Sequence, residues 1–207
     1  MYLYFMRHGQ TAWNHEHKMQ GQTDIPLNEV GLEQARQASE RLRAVNFRAC
    51  YASPLIRAHR TAEIVLAGRQ IPLVVEPLLK EIAFGQFEGQ SLDDFKEDAS
   101  QPLHQFFYEP WDYQPGAGAE SIYDLLGRGL RFLNLMMRQD YAADDKILIA
   151  THGAFVRSIV NLAANLSVGE FWRRRPLPNC GLMVVQADHQ GYRLVHEGLD
   201  LLSGELP

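Results

Sequence analysis

Short apolar runs alternate with longer amphipathic stretches along most of this chain, and that alternation predicts its fold. Residues 1–6, 49–52, 73–75, 147–150, 182–186 and 192–196 read as strands. The first and fourth are apolar enough to be buried on both faces of a parallel sheet. Between the strands, residues 30–45 place Ala35, Ala38, Leu42 and Val45 at helical spacing with charges between them. Residues 55–66 read as a helix beginning after Ser53-Pro54, an N-cap followed by proline. Residues 118–137 form a long helix with Ile122, Leu125, Leu126, Leu130, Leu133 and Leu135 as its apolar content, and 154–166 form an amphipathic one. The expected class is α/β, a three-layer sandwich with a mostly parallel central sheet flanked by helices and a hairpin at the end. Residues 85–117 break the rhythm, because Phe87, Phe95, Phe106, Phe107, Tyr108, Trp111 and Tyr113 stand there among Gly, Pro, Asp and Glu. That stretch is expected to be a helical and loop insertion over the site, within a single domain spanning 1–207.

Composition narrows the partners. With 207 residues, 46% hydrophobic and 22% charged, the chain can bury a real core without staples. Its formal net charge is −5 and its basic residues are scattered, so neither nucleic acid nor an anionic membrane is an expected partner. The opening apolar run has no basic leader and reads as a strand, not a signal peptide; no window is apolar enough to span a bilayer. Cys50 and Cys180, both in strand-like contexts, read as buried free thiols of a reducing compartment, so a cytoplasmic location is expected. The oligomeric state is not legible in the sequence; a homodimer enters only because dimers are the commonest soluble assemblies.

The chemistry lies where two strands end. Arg7-His8-Gly9 closes the first run and Thr151-His152-Gly153 closes that of 147–150. Ligands of open α/β sheets bind at the carboxyl ends of strands, so the two imidazoles are expected to share one ligand. A glycine after each lets the chain turn and a ligand approach the backbone. A lone histidine would more readily be a satisfied core residue; the pair is not so easily dismissed. Arg7, His8 and Asn14 on one loop can ring a small anion, and phosphate suits the planar fork of arginine. Arg57 reaches the same place from the first turn of a helix, although alone it could pair with any surface carboxylate. Free N–H groups at the start of the helix after His152 are expected to face that anion too.

These residues carry a resemblance. Arg7-His8-Gly9-Gln10-Thr11-Ala12-Trp13-Asn14 resembles the opening motif of the histidine phosphatase superfamily, the phosphoglycerate mutase-like branch, with Gln10 where glutamate is usual. Gln20-Gly21 through Asn28, Ser53 through Ala62, Leu79-Lys80-Glu81-Ile82 through Glu88-Gly89, Gly118-Ala119-Glu120-Ser121 and Thr151-His152-Gly153 follow in the family's order. The resemblance implies a two-step phosphoryl transfer, with His8 as nucleophile, Arg7, Arg57, His152 and Asn14 caging the phosphoryl group, and Glu81 as proton donor. Gln20, Gly21 and Gly153 fall at phosphate-binding positions of the same motifs. Two arginines beside His8 would keep the imidazole neutral, and a carboxyl shielded from water near a phosphate dianion would hold its proton.

No metal or cofactor is expected, because arginine and imidazole supply the positive charge; His15 and His17 around Glu16 match no strong ligand spacing. The expected activity is hydrolysis of small phosphomonoesters. Lys96 and His104 are the only basic side chains in 85–117, whereas the mutases carry more there, which favours hydrolysis over a phosphoglycerate mutase-type transfer. An aromatic lid tilts the substrate towards one resembling alpha-ribazole phosphate, with sugar or glycerate phosphates as the other choice. A non-catalytic phospholigand-binding protein is the remaining alternative. The run Arg173-Arg174-Arg175 reads as a solvated face, with the guiding of anionic substrates as its alternative.

Overall fold

The computed structural model describes residues 1–101 and 103–201. Its six strands are β1 (Tyr2–Arg7), β2 (Phe47–Ala52), β3 (Leu73–Val75), β4 (Lys146–Thr151), β5 (Leu182–Asp188) and β6 (Gly191–Leu199), in the sheet order β3-β2-β4-β1-β5-β6. β1, β2, β3 and β4 run parallel, and β5 and β6 add an antiparallel edge. The helices are α1 (Ala12–His15), α2 (Glu29–Arg41), α3 (Ile56–Val65), α4 (Leu92–Glu97), α5 (His104–Tyr108), α6 (Ile122–Met137) and α7 (Gly153–Ala163). This is the expected α/β arrangement. Among the described residues no helix is long and apolar enough to cross a membrane.

Alternate residues of each strand feed opposite faces, as a period of two requires. Tyr4 and Met6 of β1 pack with Ala35, Ala38 and Leu42 of the α2 stretch and with Ala62 and Val65 of α3. Leu3 and Phe5 pack on the other face with Phe132, Leu133 and Met136 of α6 and with Phe155 and Ile159 of α7. β1 therefore leads to a helix on one face and its neighbour β4 to a helix on the other. Where two adjacent parallel strands part in this way, a crevice opens at their carboxyl ends. β1 and β4 pair in register from Tyr2 with Lys146 to Arg7 with Thr151, so His8 and His152 leave the sheet side by side.

Several local expectations change. Along α6 the buried stripe is Ile122, Leu125, Phe132, Leu133 and Met136, while Leu130 is exposed. Ser53 is not the N-cap of α3: Leu55 holds that position without a side-chain bond, and Asp24 from a distant loop accepts the Ile56 N–H at 2.7 Å. Cys180 is not in a strand; it occupies a turn with φ of 56° before β5, where its N–H donates to the carbonyls of Arg7 and His8. Both cysteines are buried and free. Residues 85–117 contain α4, α5 and a short 3-10 turn at Gly85–Phe87. They are organised around Phe106, whose ring lies 5.0 to 5.2 Å from those of Phe84, Phe107, Tyr113 and Trp172. Edge-on aromatic packing of this kind lets short helices hold together with few backbone hydrogen bonds to the sheet.

Candidate active site

His8 stands just past the end of β1, 3% exposed, with Nδ1 at 2.7 Å from the carbonyl oxygen of Gly9. A carbonyl only accepts, so Nδ1 carries the proton of the neutral ring and Nε2 holds the lone pair. Burial, and then the charges of Arg57 and Arg7, push the imidazole well below its ordinary pKa. The arginines thus act as expected, but desolvation is the larger cause. The His152 ring lies 5.2 Å from that of His8, centroid to centroid. Its Nε2 is 2.8 Å from the Ser53 hydroxyl, and burial followed by Arg57 lowers its pKa as well.

Both arginines are anchored to backbone. Arg7 donates to the Leu177 carbonyl at 2.7 Å. Arg57, fully buried, donates to the carbonyls of Gly21 at 2.7 Å and Thr23 at 2.8 Å, and burial draws it down to about 10 against the opposing charges of Glu81, Asp24 and Glu88. Among the described residues the buried side-chain nitrogens and oxygens without a hydrogen-bond partner are Arg7 Nε, Arg57 Nε, His152 Nδ1 and the Tyr113 hydroxyl. Three of these four atoms belong to the groups around His8. Unpaired buried polar atoms cost about 1–3 kcal/mol each, and the oxygens of a tetrahedral anion are suited to satisfy those of Arg7 and Arg57, which line the cavity over His8.

The loop that anchors Arg57 is itself fastened by Glu88. That carboxylate accepts the N–H groups of Gln22, Thr23 and Phe84 and the Thr23 hydroxyl. Gly21 sits there with φ of 52°, and a Cβ would fall 2.1 Å from the Glu88 carboxylate, so only glycine fits. Gln20 accepts from the Thr11 hydroxyl at 3.0 Å, and Asn14 accepts the Thr11 N–H at 3.1 Å in the capping box of α1. Gly9 serves packing instead of ligand approach, since a Cβ would lie 2.5 Å from the Gly31 carbonyl of α2.

Glu81 accepts the N–H groups of Ile82, Ala154 and Phe155, each at 3.0 Å. The first N–H groups of α7 are therefore held by this carboxylate, not turned to an external anion as expected; a carboxylate on a helix N-terminus is favourable for the same reason a phosphate would be. Sequence reasoning missed what places Glu81. Arg128 of α6, 7% exposed, donates to the carbonyls of Leu78, Lys80 and Glu81 and forms a two-point ion pair with Glu120, at 3.0 and 2.7 Å. The signal was present: an arginine three residues after Leu125 on the buried stripe of an otherwise apolar helix face. Ser53, whose hydroxyl faces His152, and Asn179, whose amide donates to the His8 carbonyl at 3.0 Å, were also missed.

A cavity of about 830 Å³ opens over these groups. Arg7, His8, Asn14, Gln20, Gly21, Arg57, Glu81 and Gly153 line it, and His152 lies behind His8 without reaching its surface. Phe107, Tyr108 and Trp111 line the cavity, Phe87, Phe95 and Tyr113 pack into the core, and Phe106 does both. Arg173 and Arg174 also line the cavity and are not merely a solvated face. Among the described residues no group of three or more His, Cys, Asp or Glu could hold a metal ion, and His17 lies 2.9 Å from Asp93.

The model for the histidine phosphatase superfamily (branch 1) matches residues 3–200 of the chain. A 2,3-bisphosphoglycerate-dependent phosphoglycerate mutase of Methylobacterium sp. is 30% identical over 185 residues, covering 84% of this chain and 88% of its own. An uncharacterized phosphatase of Bacillus subtilis, PhoE, is 35% identical over 155 residues, covering 75% and 73%. The solved structure of Bacillus stearothermophilus YhfR superposes with a TM-score of 0.88 at 30% identity, covering 96% of this chain and 97% of that one.

Proposed function

The chain belongs to the histidine phosphatase superfamily, branch 1, and from that membership and the site geometry we propose that it hydrolyses small phosphomonoesters through a phosphohistidine on His8. The observation that carries the reading is the Nδ1 contact of His8 with the Gly9 carbonyl, which leaves Nε2 unprotonated in a ring that burial keeps neutral. In the first step the Nε2 lone pair forms a bond to phosphorus as the P–O bond to the leaving group breaks. Glu81, the one carboxylate on the cavity wall among the described residues, accepts three N–H groups in the free site, so the proton it passes to the departing oxygen is one that arrives on the phosphomonoester. In the second step Glu81 takes a proton from water, the oxygen of that water bonds to phosphorus, and the N–P bond breaks to release orthophosphate and restore His8.

Arg7, Arg57 and Asn14, which line the cavity, stabilise the charge that spreads over the three equatorial oxygens, with Gln20, Gly21 and Gly153 completing the phosphate position; His152, expected in the same cage, is buried beside the His8 ring and acts from there. The reaction is tested with p-nitrophenyl phosphate and no added metal. Release of nitrophenol by the native chain, its loss in His8→Ala, and an acid-labile phosphoryl adduct present only with His8 are the expected results. Nitrophenol release that survives His8→Ala contradicts the covalent scheme.

One observation favours a second reading, a phosphoglycerate mutase-type transfer. Residues 85–117 supply Lys96 as the basic lining residue, but Lys18, Arg157, Arg173 and Arg174 reach the cavity from other segments, so the basic content of 85–117 does not argue against a doubly anionic substrate. Incubation with 3-phosphoglycerate and 2,3-bisphosphoglycerate separates the readings, since hydrolysis liberates orthophosphate and the mutase reaction yields 2-phosphoglycerate. Sugar and glycerate phosphates and ring-bearing esters resembling alpha-ribazole phosphate are the substrates to compare. The buried free thiols Cys50 and Cys180 fit a reducing, cytoplasmic setting.

A further inference from the structure

Beyond Arg7 and Arg57, the cavity is lined by Lys18, Lys96, Arg157, Arg173 and Arg174, against Glu81 as the one carboxylate, in a chain whose formal net charge is −5. Three of these cations already have partners: Lys18 pairs with Glu16 at 2.7 Å, Arg173 with Glu170 at 4.0 Å, and Arg174 with Glu197. Lys96 has no carboxylate partner among the described residues, and Arg157 forms no direct ion pair, although the charge of Glu197, the partner of Arg174, acts on it. Arg157, on α7, is 6% exposed, and one of its nitrogens is spent on the carbonyls of Arg174 and Arg175, each at 2.7 Å. Burying a guanidinium whose nearest carboxylate is already paired to another arginine is costly, and a cation in that state on a cavity wall is suited to an anionic ligand.

The same wall offers apolar surface beside Lys96. The Lys96 amine lies 5.3 Å from the Phe107 ring centroid, and the Phe107 and Trp172 rings are 5.6 Å apart. Trp172 in turn precedes the residues whose carbonyls Arg157 grips. Tyr108 and Trp111 stand at the same wall, 54% and 48% exposed. A volume near 830 Å³ falls within the range of about 300–1,000 Å³ that suits whole metabolite-sized ligands.

We infer that this wall is a second subsite: Lys96 takes a further anionic group of the substrate, with Arg157 adding positive charge to the same cavity, and Phe107 and Trp172 take the ring-bearing body that separates that group from the phosphate. The substrate class is then a phosphomonoester with an aromatic or heterocyclic middle and a carboxylate or second phosphoryl-type anion at its far end. The inference rests on the hydrolytic reading above and adds the identity of the leaving group.

The test compares three aryl phosphomonoesters that share one ring and linker and end in a carboxylate, a phosphonate or a neutral carboxamide. Both anionic esters should exceed the carboxamide in kcat/KM by about tenfold or more, mainly through KM, as expected for charge-assisted bonds made equally in ground and transition states. The preference between carboxylate and phosphonate identifies the kind of anion. In Lys96→Gln and Arg157→Gln the anionic-to-neutral ratio should fall at least threefold, about 0.65 kcal/mol. Arg157→Gln also removes the grip on the carbonyls of Arg174 and Arg175, so Lys96→Gln, at an exposed position, carries the comparison if that variant does not fold. A ratio near one in the native chain, or one unchanged in Lys96→Gln, overturns the inference. p-Nitrophenyl phosphate is measured on the same preparations: turnover of it with a ratio of one sinks the subsite alone. No turnover of any ester sinks the hydrolytic reading, and calorimetric dissociation constants for the three esters then give the ratio.

Discussion

The two ends of the cavity are built on opposite plans. At the inner end the polar groups are fastened: Arg57 to two carbonyls, Arg7 to another, Glu81 to three N–H groups, and His8 to the carbonyl of the next residue. At the outer end Lys96, Arg173 and Arg174 are long side chains on a short helix and a turn, the two arginines paired to carboxylates, beside aromatic rings left exposed; Arg157 of α7 is the exception, buried and held by two carbonyls. The inner end is suited to hold one geometry for charge that develops in a transition state, where preorganisation matters most. The outer end is suited to select what is attached to the phosphate, and can vary without disturbing the chemistry.

The sharpest way to break this contrast is at the inner end. Arg57→Met should lower kcat/KM for p-nitrophenyl phosphate by about 10²–10³-fold, the usual loss when one preorganised donor is removed; steady-state rates against native chain would reveal it, and a loss under tenfold would remove Arg57 from the cage. Arg128→Met leaves Glu120 and three carbonyls without their partner, and should cost about 3 kcal/mol of stability in denaturant titration. Replacing Glu120 by Gln in the same chain should recover part of that loss, because the uncompensated charge is gone.

Glu81→Gln should slow alkyl phosphates about 10²-fold more than aryl phosphates, whose leaving groups need less protonation; equal losses on both would deny Glu81 the role of acid. A smaller effect follows from the two imidazoles. Burial keeps His8 and His152 unprotonated in the folded chain well below the ordinary value, while the unfolded chain protonates them near pH 6.5. Unfolding therefore takes up protons below about pH 6.5, and stability falls from there down to the lowered folded values, by at most about 1.4 kcal/mol per pH unit for each ring. Denaturant midpoints between pH 7 and 5 should show that slope, and His152→Gln should remove about half of it. The smallest change is at the outer end: Tyr108→Ala should shift stability by no more than about 0.5 kcal/mol while raising KM for ring-bearing esters. A stability loss comparable to that of Arg128→Met would erase the distinction between the two ends.

Much of the fold and of the inner end was legible in the chain, since both depend on short-range pattern. Runs such as 147–150 can only be buried strands, and Arg7-His8-Gly9 and Thr151-His152-Gly153 mark where two of them end. Motifs read along the chain name Arg7, His8, Asn14, Gln20, Gly21, Arg57, Glu81 and Gly153, all of which reach one cavity, and His152, which stands behind it. What could not be read is any relation carried by one residue's contact with a distant backbone. Glu81 ends on the N-terminus of α7, Asp24 caps α3, Arg128 holds Leu78, Lys80 and Glu81, and the glycine after His8 is needed by α2. Each of these bonds joins atoms far apart in sequence, and their partners are main-chain groups that every residue possesses, so no side-chain pattern marks them.

The same reason separates the two ends of the cavity. Residue identity alone determined which groups could bind and transfer a phosphoryl unit, because imidazole, guanidinium and carboxyl chemistry belongs to the side chain itself. Only the tertiary structure decided that Lys18, Lys96, Arg157 and Arg174, scattered through an acidic chain, would meet on one wall. Charge adds in space and not along the chain, so its local sum is fixed by packing.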